Sequence, residues 1–227
     1  MITQTNPDLD RLSVGELAAT LPGATAVFRK FKVNFCCRGD IRLADAARQR
    51  GLKASELEEA LRALEGSDAP PSLSMGTNEL IDHILSRFHE VHRRELTELV
   101  ALARKVEAVH ANHPQAPHGL ADLLQQMRGE LEVHMKKEEL ILFPAMRRGA
   151  GASLDAPIAQ MRHDHNDHGE HLRRLEALTN DFTPPGEACR SWQALYTGTA
   201  KLSEDLMEHV HLENYVLFPR FQEIPTP

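Results

Sequence analysis

The chain has 227 residues, 41% hydrophobic and 26% charged, which suits one ordinary domain with a small second one. Its formal net charge of −7 argues against a general nucleic-acid-binding protein, since such a protein needs a basic surface. Three cysteines, two of them adjacent, form no disulfide framework, and no apolar run approaches the roughly 20 residues that span a bilayer. Because the first residues also lack the pattern of a secretory signal, we expect a cytoplasmic protein.

The N-terminal segment is predicted to form short helices. Ser13 with Glu16, and Ser55 with Glu58, fit the capping-box pattern that marks the start of a helix. Residues 66–76 are rich in glycine, proline and serine, a composition typical of a linker. We therefore predict a small helical domain over residues 1–66, a linker over residues 67–78 and a larger domain over residues 79–227.

The larger domain contains four long helical patterns. We predict the first over Asn78–His110, the second over Gly119–Phe143 and the third over Pro157–Thr179, while the fourth ends at Phe218. The second and fourth are expected to stop there because proline follows each, at Pro144 and Pro219. Helices of about 30 Å or more suit an antiparallel bundle, so the predicted fold is an all-α protein with a four-helix bundle.

Histidine is unusually frequent and unevenly placed. All 13 histidines lie between His83 and His211, so the first 82 residues contain none. Histidines that merely decorate a surface would not respect such a boundary. The chain is therefore expected to divide chemically as well as structurally.

One motif occurs twice, on the second and fourth helices. We call the segment Glu130–Pro144 the first copy and the segment Asp205–Pro219 the second copy. Both read acidic-Leu-x-x-His-x-x-x-Glu, followed by Leu-Phe-Pro. His89-x-x-His92 and His165-x-x-His168 match more weakly on the first and third helices, and the intervals to the next motif are 45 and 44 residues. These matches predict a duplicated helical hairpin.

The spacing within each copy indicates a metal site. Residues four apart share one helix face, so His134 with Glu138, and His209 with Glu213, each present an imidazole and a carboxylate to one point. Leucines make these faces partly apolar, and a metal ion offsets the cost of burying such groups there. We predict two metal ions bridged by the glutamates, with four terminal histidines: His89, His134, His165 and His209.

The assignment of the remaining histidines stays open at this point. The first helix also offers His83 and His92, and the third offers His163, His168 and His171. His110 lies 21 residues beyond His89, about 31 Å along a continuous helix. We therefore expect it at the far end of the bundle with His113 and His118, although a fifth histidine ligand is not ruled out by spacing alone.

Mixed imidazole and carboxylate ligation suits iron, while manganese and zinc can occupy similar atoms. Glu107-x-x-His110 and Glu208-x-x-His211 match ferritin-like spacing, but both lie off the repeat register and are discounted. Two carboxylates leave less negative charge at the metals than four, which should favour ferrous iron and either reversible gas binding or iron release. Three acids near the candidate ligands could orient an imidazole, offer a polar route for ions, or be plain solvated groups: Glu130, Asp164 and Asp205.

Cys36 and Cys37 stand in a predicted loop beside Lys32 and Arg38. Adjacent cysteines rarely form a disulfide without strain, because their Cα atoms are too close. Nearby cations can make a thiol reactive, so the pair could act in redox chemistry, bind a metal transiently or accept iron or a nitrosyl group. The alternative is one buried and one inert thiol. Cys189 is expected to be a small packing residue, and Trp192 and Tyr196 are expected in the core.

These residues resemble a family. FRKFKVNFCCRGD, IDHILSRFHEVHRREL, HMKKEELILFP and LMEHVHLENYVLFPR are similar to the Repair of Iron Centres proteins, from about Leu12 to Arg220. The resemblance implies a small N-terminal helical domain with the cysteine pair and a hemerythrin-like four-helix bundle. It places the iron ligands on the residues that the repeat had already selected: His89, His134, Glu138, His165, His209 and Glu213. It also implies a pair of non-haem iron ions, oxo-bridged when oxidised. One departure, Arg38-Gly39 in place of the usual Gly-Gly, leaves the shape of the cysteine loop open.

The first functional hypothesis is a protein that repairs iron–sulfur clusters after nitric oxide or peroxide damage by donating iron. Its expected partners are damaged iron–sulfur proteins or a cluster-assembly scaffold. The alternatives are an enzyme that reduces nitric oxide and a module that binds nitric oxide or oxygen without turnover. The spacing does not distinguish donation from catalysis, and we expect a monomer that contacts neither nucleic acid nor membrane.

Overall fold

A computed structural model describes residues 9, 11–64, 74–149 and 154–222. Within these ranges the regular structure is helical, and the only β-type pairing is an isolated bridge between Ser13 and Arg42. The all-α class predicted from the sequence is therefore confirmed. Most of the predicted linker, residues 67–73, lies outside the described residues. No described helix combines the length and the apolar composition needed to cross a bilayer.

Contacts divide the chain into two units. The first unit comprises Met1–Leu80 with Met207–Pro227, and the second comprises Ile81–Leu206. The boundary near Leu206 falls inside a continuous helix, so the second copy of the motif contributes residues to both units.

Four short helices form the N-terminal part of the first unit: α1 Val14–Thr20, α2 Ala24–Lys30, α3 Leu43–Gln49 and α4 Ala54–Arg62. The predicted capping box at Ser13 is confirmed, because the Ser13 hydroxyl accepts from the Glu16 N–H while the Glu16 carboxylate accepts from the Ser13 N–H. The second predicted box is wrong. Helix α4 starts after Lys53, so Ser55 lies inside the helix and its side chain does not cap it.

The four predicted long helices are present, and three of them contain a widened π-helical turn. The first consists of α5 Thr77–Ile84, π1 Leu85–His89 and α6 Glu90–Val109. The second consists of α7 Leu120–Lys137, π2 Glu138–Leu142 and α8 Phe143–Arg147. The third is α9 Asp155–Leu178. The fourth consists of α10 Arg190–His211, π3 Leu212–Leu217 and a 3-10 turn, Phe218–Phe221.

The second helix does not stop at Phe143, as the sequence had predicted, but continues through Pro144 to Arg147. The π turn explains the difference. Proline has no N–H to donate and its ring collides with the carbonyl four residues back in an α-helix. In π2 the N–H of Phe143 donates to the carbonyl of Glu138, five residues back, which widens the backbone before the proline. In π3 the N–H of Phe218 donates to Glu213 in the same way.

Ion pairs connect neighbouring long helices of the second unit. Arg87 on π1 holds the Asp205 carboxylate of α10 with two hydrogen bonds, of 3.0 and 2.6 Å. Lys201 bonds both Asp205 and Glu95, at 2.7 and 2.6 Å. Arg93 of α6 bonds Glu132 of α7 at 2.7 Å. These contacts hold the first helix against the second and fourth, the helices that carry the candidate ligands.

Candidate metal centre

The side chain of Glu138 is fully buried and faces two histidines. Its Oε2 lies 3.4 Å from Nε2 of His89, and its Oε1 lies 3.3 Å from Nε2 of His134. His89 is also fully buried and His134 is 2% exposed. One carboxylate therefore directs each of its two oxygens at a different imidazole.

His165 on α9 joins the same cluster. Its Nε2 lies 3.2 Å from Nε2 of His134, and it is fully buried. His134, Glu138 and His165 each offer a ligand atom within 4.8 Å of the other two. The second unit thus brings together four of the six predicted ligands, with Glu138 between His89 and the His134–His165 pair.

The other two predicted ligands form a pair in the first unit. His209 and Glu213 are both fully buried, and Nε2 of His209 lies 3.0 Å from Oε1 of Glu213. Their spacing on the helix, and the π turn that begins beside Glu213, match His134 and Glu138. The two copies of the motif therefore fold with the same local geometry.

Widened turns occur at three of the six candidate ligands. His89 is the last residue of π1, Glu138 is the first of π2, and Glu213 lies in π3. Such turns are rare in proteins, and those that do occur are frequently at functional sites. The sequence reasoning missed them, although the proline that follows each glutamate by six residues was a usable hint.

An outer carboxylate orients His89. Its Nδ1 lies 2.8 Å from Oε1 of Glu139, so Nδ1–H donates to that oxygen and Nε2 is left to face Glu138. Arg93 donates two hydrogen bonds to the same carboxylate. Burial alone would raise the pKa of Glu139, but the hydrogen bonds from Arg93 and His89 lower it overall. Glu139 therefore stays ionised beside the imidazole.

A second outer carboxylate, Asp164, plays the same part for His134. Its Oδ2 lies 3.4 Å from Nδ1 of His134 and 2.8 Å from Nζ of Lys137, and Gln160 bonds the other oxygen. The contact with His134, followed by those with Lys137 and Gln160, holds the pKa of Asp164 well below its usual range although burial opposes this. Asp164 was one of three acids proposed to orient an imidazole. Glu139 was missed, because it lies 50 residues from His89 in the sequence.

The other two acids have different contacts. Asp205 is held by Arg87 and Lys201, as described above. Glu130 is exposed, and its Oε2 lies 3.5 Å from Nδ1 of His171. The two ferritin-like glutamates also have structural contacts. Glu107 accepts from the N–H of Ala121, near the start of α7, and Glu208 forms an ion pair with Arg29.

The remaining histidines have varied surroundings. His163 is exposed on α9, whereas His92, His168 and His171 are buried. His110 lies beside Cys189, with Nε2 and Sγ 3.2 Å apart, and its ring packs on Trp192. Cys189 is exposed, so its prediction as a packing residue is wrong. Trp192 and Tyr196 lie in the core, as predicted.

A cleft of about 440 Å³ adjoins the cluster in the second unit, and His134 is part of its lining. Lys137 and His168 also line it, together with three acidic residues, Glu130, Asp164 and Asp167. Carboxylates and imidazoles are ligands for divalent cations. The cleft therefore offers further oxygen and nitrogen donors next to the buried histidine.

The cysteine loop belongs to the first unit. Cys36 is buried, Cys37 is partly exposed, and their Sγ atoms are 3.2 Å apart. The Arg38 side chain is exposed and its φ is not positive, so its backbone needs no glycine. Gly39 is the constrained position, since a Cβ there would lie 2.4 Å from the carbonyl oxygen of Phe35 and 2.7 Å from the Tyr215 hydroxyl. The Arg38-Gly39 sequence therefore retains the glycine that close packing requires.

The donor set fits metal binding. Carboxylates with no exposed surface are costly to keep ionised unless a cation neutralises them, and the imidazoles around Glu138 direct nitrogen atoms at the same interior point. Nitrogen and oxygen donors of this kind suit iron, manganese and zinc better than softer metals that prefer thiolates.

Comparison with known proteins also indicates a cation-binding domain. Residues 80–221 match the model of the hemerythrin HHE cation binding domain, and residues 10–65 match a domain of unknown function, DUF542. The chain is 48% identical over 210 residues to the iron-sulfur cluster repair protein YtfE of Dickeya chrysanthemi, covering 92% of this chain and 95% of that one. It is 44% identical to the protein of the same name from Escherichia coli over 91% of this chain and 94% of the other. A probable iron-sulfur cluster repair protein of Haemophilus influenzae is 43% identical to this chain. The match covers 91% of this chain and 95% of that protein.

The match to the HHE model covers more than half of the chain, and these relatives are similar over nearly all of it. The chain therefore belongs to the hemerythrin HHE cation-binding family, among members named iron–sulfur cluster repair proteins.

Proposed function

We propose that this chain repairs iron–sulfur clusters damaged by oxidative or nitrosative stress, by holding two iron ions in its bundle and donating iron. The names of relatives that are 43–48% identical over most of the chain support the repair function. The arrangement of Glu138 between His89 and His134, described above, is the structural observation that carries the metal assignment. Its two oxygens face different imidazoles, which supports a pair of cations in this proposal.

Six residues would hold the iron: His89, His134, Glu138, His165, His209 and Glu213. Three observations support adding His209 and Glu213 to the four that cluster in the second unit. They occupy the same places in the second copy as His134 and Glu138 in the first, they are fully buried, and they adjoin the same kind of π turn. The match to the HHE model also spans residues 80–221, a range that includes all six.

The residues favour release of iron over permanent retention. Only two of the six proposed ligands are carboxylates, and the other four are neutral imidazoles. The negative charge of the ligands is therefore smaller than the positive charge of two iron ions. This difference grows when the iron is oxidised, which weakens the hold on ferric ions. The acidic side chains of the cleft beside His134 supply oxygen donors for an iron ion that leaves.

Two outer carboxylates orient the histidines that would bind iron. Glu139 and Asp164 hold the Nδ1 sides of His89 and His134, which keeps both Nε2 atoms directed inward. The Phe143 ring stacks on the His89 ring, with 5.8 Å between the ring centroids. Together with other buried apolar residues, it keeps bulk water from the buried Glu138. The proposed clients are damaged iron–sulfur proteins or a cluster-assembly scaffold in the cytoplasm, and the chain is proposed to act as a monomer.

An iron-transfer assay tests this function. The chain is loaded with ferrous iron, examined by Mössbauer spectroscopy, and mixed with an apo iron–sulfur protein, sulfide and a reductant. We expect two iron ions per chain, loss of iron from the chain, and a matching gain of cluster absorbance in the acceptor. His165→Ala should abolish both loading and transfer, whereas His163→Ala, an exposed histidine on the same helix, should leave both unchanged.

Other results would contradict the proposal. If the loaded chain kept its iron while it consumed nitric oxide and reductant over many turnovers, donation would be wrong and catalysis would replace it. If His163→Ala and His165→Ala had the same effect, the ligand assignment would be wrong. Circular dichroism of both variants shows whether a loss of iron reflects a loss of fold.

A further inference from the structure

The two adjacent cysteines are held in a specific geometry within the first unit. Their Sγ atoms are 3.2 Å apart, a hydrogen-bond contact in which either thiol could be the donor. The Asn34 Oδ1 atom accepts hydrogen bonds from the N–H groups of Cys36 and Cys37, at 3.2 and 3.1 Å, and lies 3.5 Å from the Cys36 sulfur. One asparagine therefore fixes the backbone so that the two sulfurs meet.

The peptide group between the cysteines is also held from its other side. Its carbonyl, that of Cys36, accepts a buried hydrogen bond of 2.9 Å from Nδ2 of Asn214. Its N–H, that of Cys37, donates to Asn34. Asn214 follows Glu213 directly and lies in π3. A single peptide plane thus links the thiol pair to the turn that carries a proposed iron ligand.

We propose that Cys36 and Cys37 form a reversible two-thiol redox site for hydroperoxides, and that its oxidation loosens the π3 turn through the peptide that Asn214 holds. This inference deepens the proposed function, on which its iron-release part rests. The thiol chemistry and the loosening of π3 are measurable without iron.

The oxidation proceeds in two balanced steps. The Cys37 thiolate attacks one oxygen of the hydroperoxide, the O–O bond breaks, and the departing oxygen takes up the thiol proton, which leaves Cys37 as a sulfenic acid. The Cys36 sulfur then attacks the Cys37 sulfur, the S–O bond breaks, and the hydroxide leaves as water with the Cys36 proton. Two thiols and one hydroperoxide give one disulfide, one alcohol and one water.

The two thiols have different roles because their surroundings differ. Cys37 is partly exposed and can meet an oxidant, whereas Cys36 is buried. The hydrogen bond with Cys37 and then burial raise the pKa of the Cys36 thiol well above its ordinary value. Cys36 therefore stays protonated and unreactive toward solvent, and it serves as the second thiol once Cys37 is oxidised.

Ring closure must disturb the linking peptide. A disulfide between neighbours closes a ring of eight atoms that contains this peptide, and neighbouring Cα atoms, about 3.8 Å apart, are closer than disulfides prefer. The peptide must turn, so the bonds to Asn34 and Asn214 cannot both keep their present geometry. The strain also makes the disulfide easy to reduce, which suits a reversible response.

Mass spectrometry of the full chain tests the chemistry. Cys189→Ser is used as the background, because Cys189 is exposed and would react separately. The metal-free chain is treated with hydrogen peroxide if its circular dichroism shows intact helices. If that signal is lost without metal, the zinc-loaded chain is used instead. We expect joint loss of both thiols, a Cys36–Cys37 disulfide in peptide fragments and full recovery with a thiol reductant. Cys36→Ser should leave a dimedone-reactive sulfenic acid at Cys37, and Cys37→Ser should slow oxidation of Cys36 at least ten-fold.

Hydrogen exchange tests the link to π3. Oxidation should speed exchange of the Leu212–Leu217 amides by about five-fold, the effect of losing one ordinary hydrogen bond, while π2 amides of the same sample stay unchanged. Asn214→Ala should show the faster exchange already when reduced, with no further change on oxidation. In iron-loaded chain, the thiol oxidant diamide should speed iron capture by a chelator in the background variant but not in Cys37→Ser.

Each result has a contrary outcome. Oxidation that stops at Cys37, or that Cys37→Ser does not slow, would overturn the two-thiol site. A disulfide that leaves π3 exchange unchanged would overturn the link through Asn214. Iron capture that is unaffected while both earlier results hold would instead count against Glu213 as a ligand, and so against the proposed function.

Discussion

The two copies of the motif share the inner face, which carries the buried histidine and glutamate. They differ on the outer face, which carries Leu140 and Ile141 in the first copy and Tyr215 and Val216 in the second. Both present a buried histidine and glutamate and both continue into a π turn. In the first copy, Leu140 and Ile141 are 73% and 63% exposed. The equivalent residues of the second copy are Tyr215, which packs between Gly15 and Gly39, and the buried Val216.

The position after each glutamate shows the same contrast. Glu139 bonds His89, whereas Asn214 bonds the carbonyl of Cys36. The acid at the start of each copy also differs, since Glu130 is exposed beside the cleft while Asp205 is buried in ion pairs. The duplication thus keeps the chemistry of the inner face and leaves the outer face free to take separate roles. The first copy adjoins an opening, and the second copy adjoins the thiols.

The shared inner face predicts equal effects for the two glutamates. Glu138→Gln and Glu213→Gln should each lower iron affinity by more than about 100-fold, because loss of even a partner of a ligand costs about 10–100-fold. Iron per chain after dialysis against a chelator measures this. Glu204→Gln, an exposed change on α10, serves as the control. A large loss for only one of the two glutamates would break the equivalence of the copies.

The outer carboxylates should matter less than the ligands. Glu139→Gln and Asp164→Asn leave a group that can still accept from the imidazole but carries no charge. We expect iron affinity to fall by about 10-fold to 100-fold in each. A competition titration with a chelator of known affinity measures the change. An unchanged affinity in both variants would show that the negative charge of these carboxylates is not needed to hold the iron.

The exposure difference between the copies predicts unequal stability effects. Val216→Ala removes buried methyl groups and should lower the free energy of unfolding by about 2 kcal/mol. Ile141→Ala, at the equivalent exposed position, should change it by less than about 0.5 kcal/mol. Urea unfolding of metal-free chain followed by circular dichroism compares them. Equal losses would mean that the outer face of the first copy is also covered.

The smallest expected difference concerns the acids that begin each copy. Burial would raise the pKa of Asp205, but hydrogen bonds from Arg87 and Lys201 lower it. A lowered folded pKa means stability that is present above the unfolded pKa of about 3.9 and lost as pH falls below it. Asp205→Asn should therefore cost about 1–2 kcal/mol at pH 7, and the difference from the parent chain should shrink in acid. Glu130→Gln, exposed in the first copy, should cost much less at either pH.

Sequence reasoning succeeded where the physical cause is local. The repeat, the Ser13 capping box and the four long helices each follow from the spacing of residues on one helix. It failed at Ser55, where the same local pattern forms no cap, and where the cause is a contact between distant segments. Neither the Glu139 contact with His89 nor the exposure of Cys189 can be read from neighbouring residues. The passage of the second helix through Pro144 was also missed, because a rare π turn overrides the ordinary rule for proline.

The π turns also settle which way the following phenylalanine points. In an α-helix each residue advances by about 100°, so Glu138 and Phe143, five residues apart, would face clearly different directions. The widened turn takes up the extra residue, and both side chains are buried, with Phe143 stacked on the His89 ring. Removing one residue between them would restore a regular α-helix in which the phenylalanine, now four residues after Glu138, keeps nearly the same face. A one-residue deletion in this turn would therefore disturb the helix less than one in its α-helical part, where everything after the deletion would rotate by about 100°.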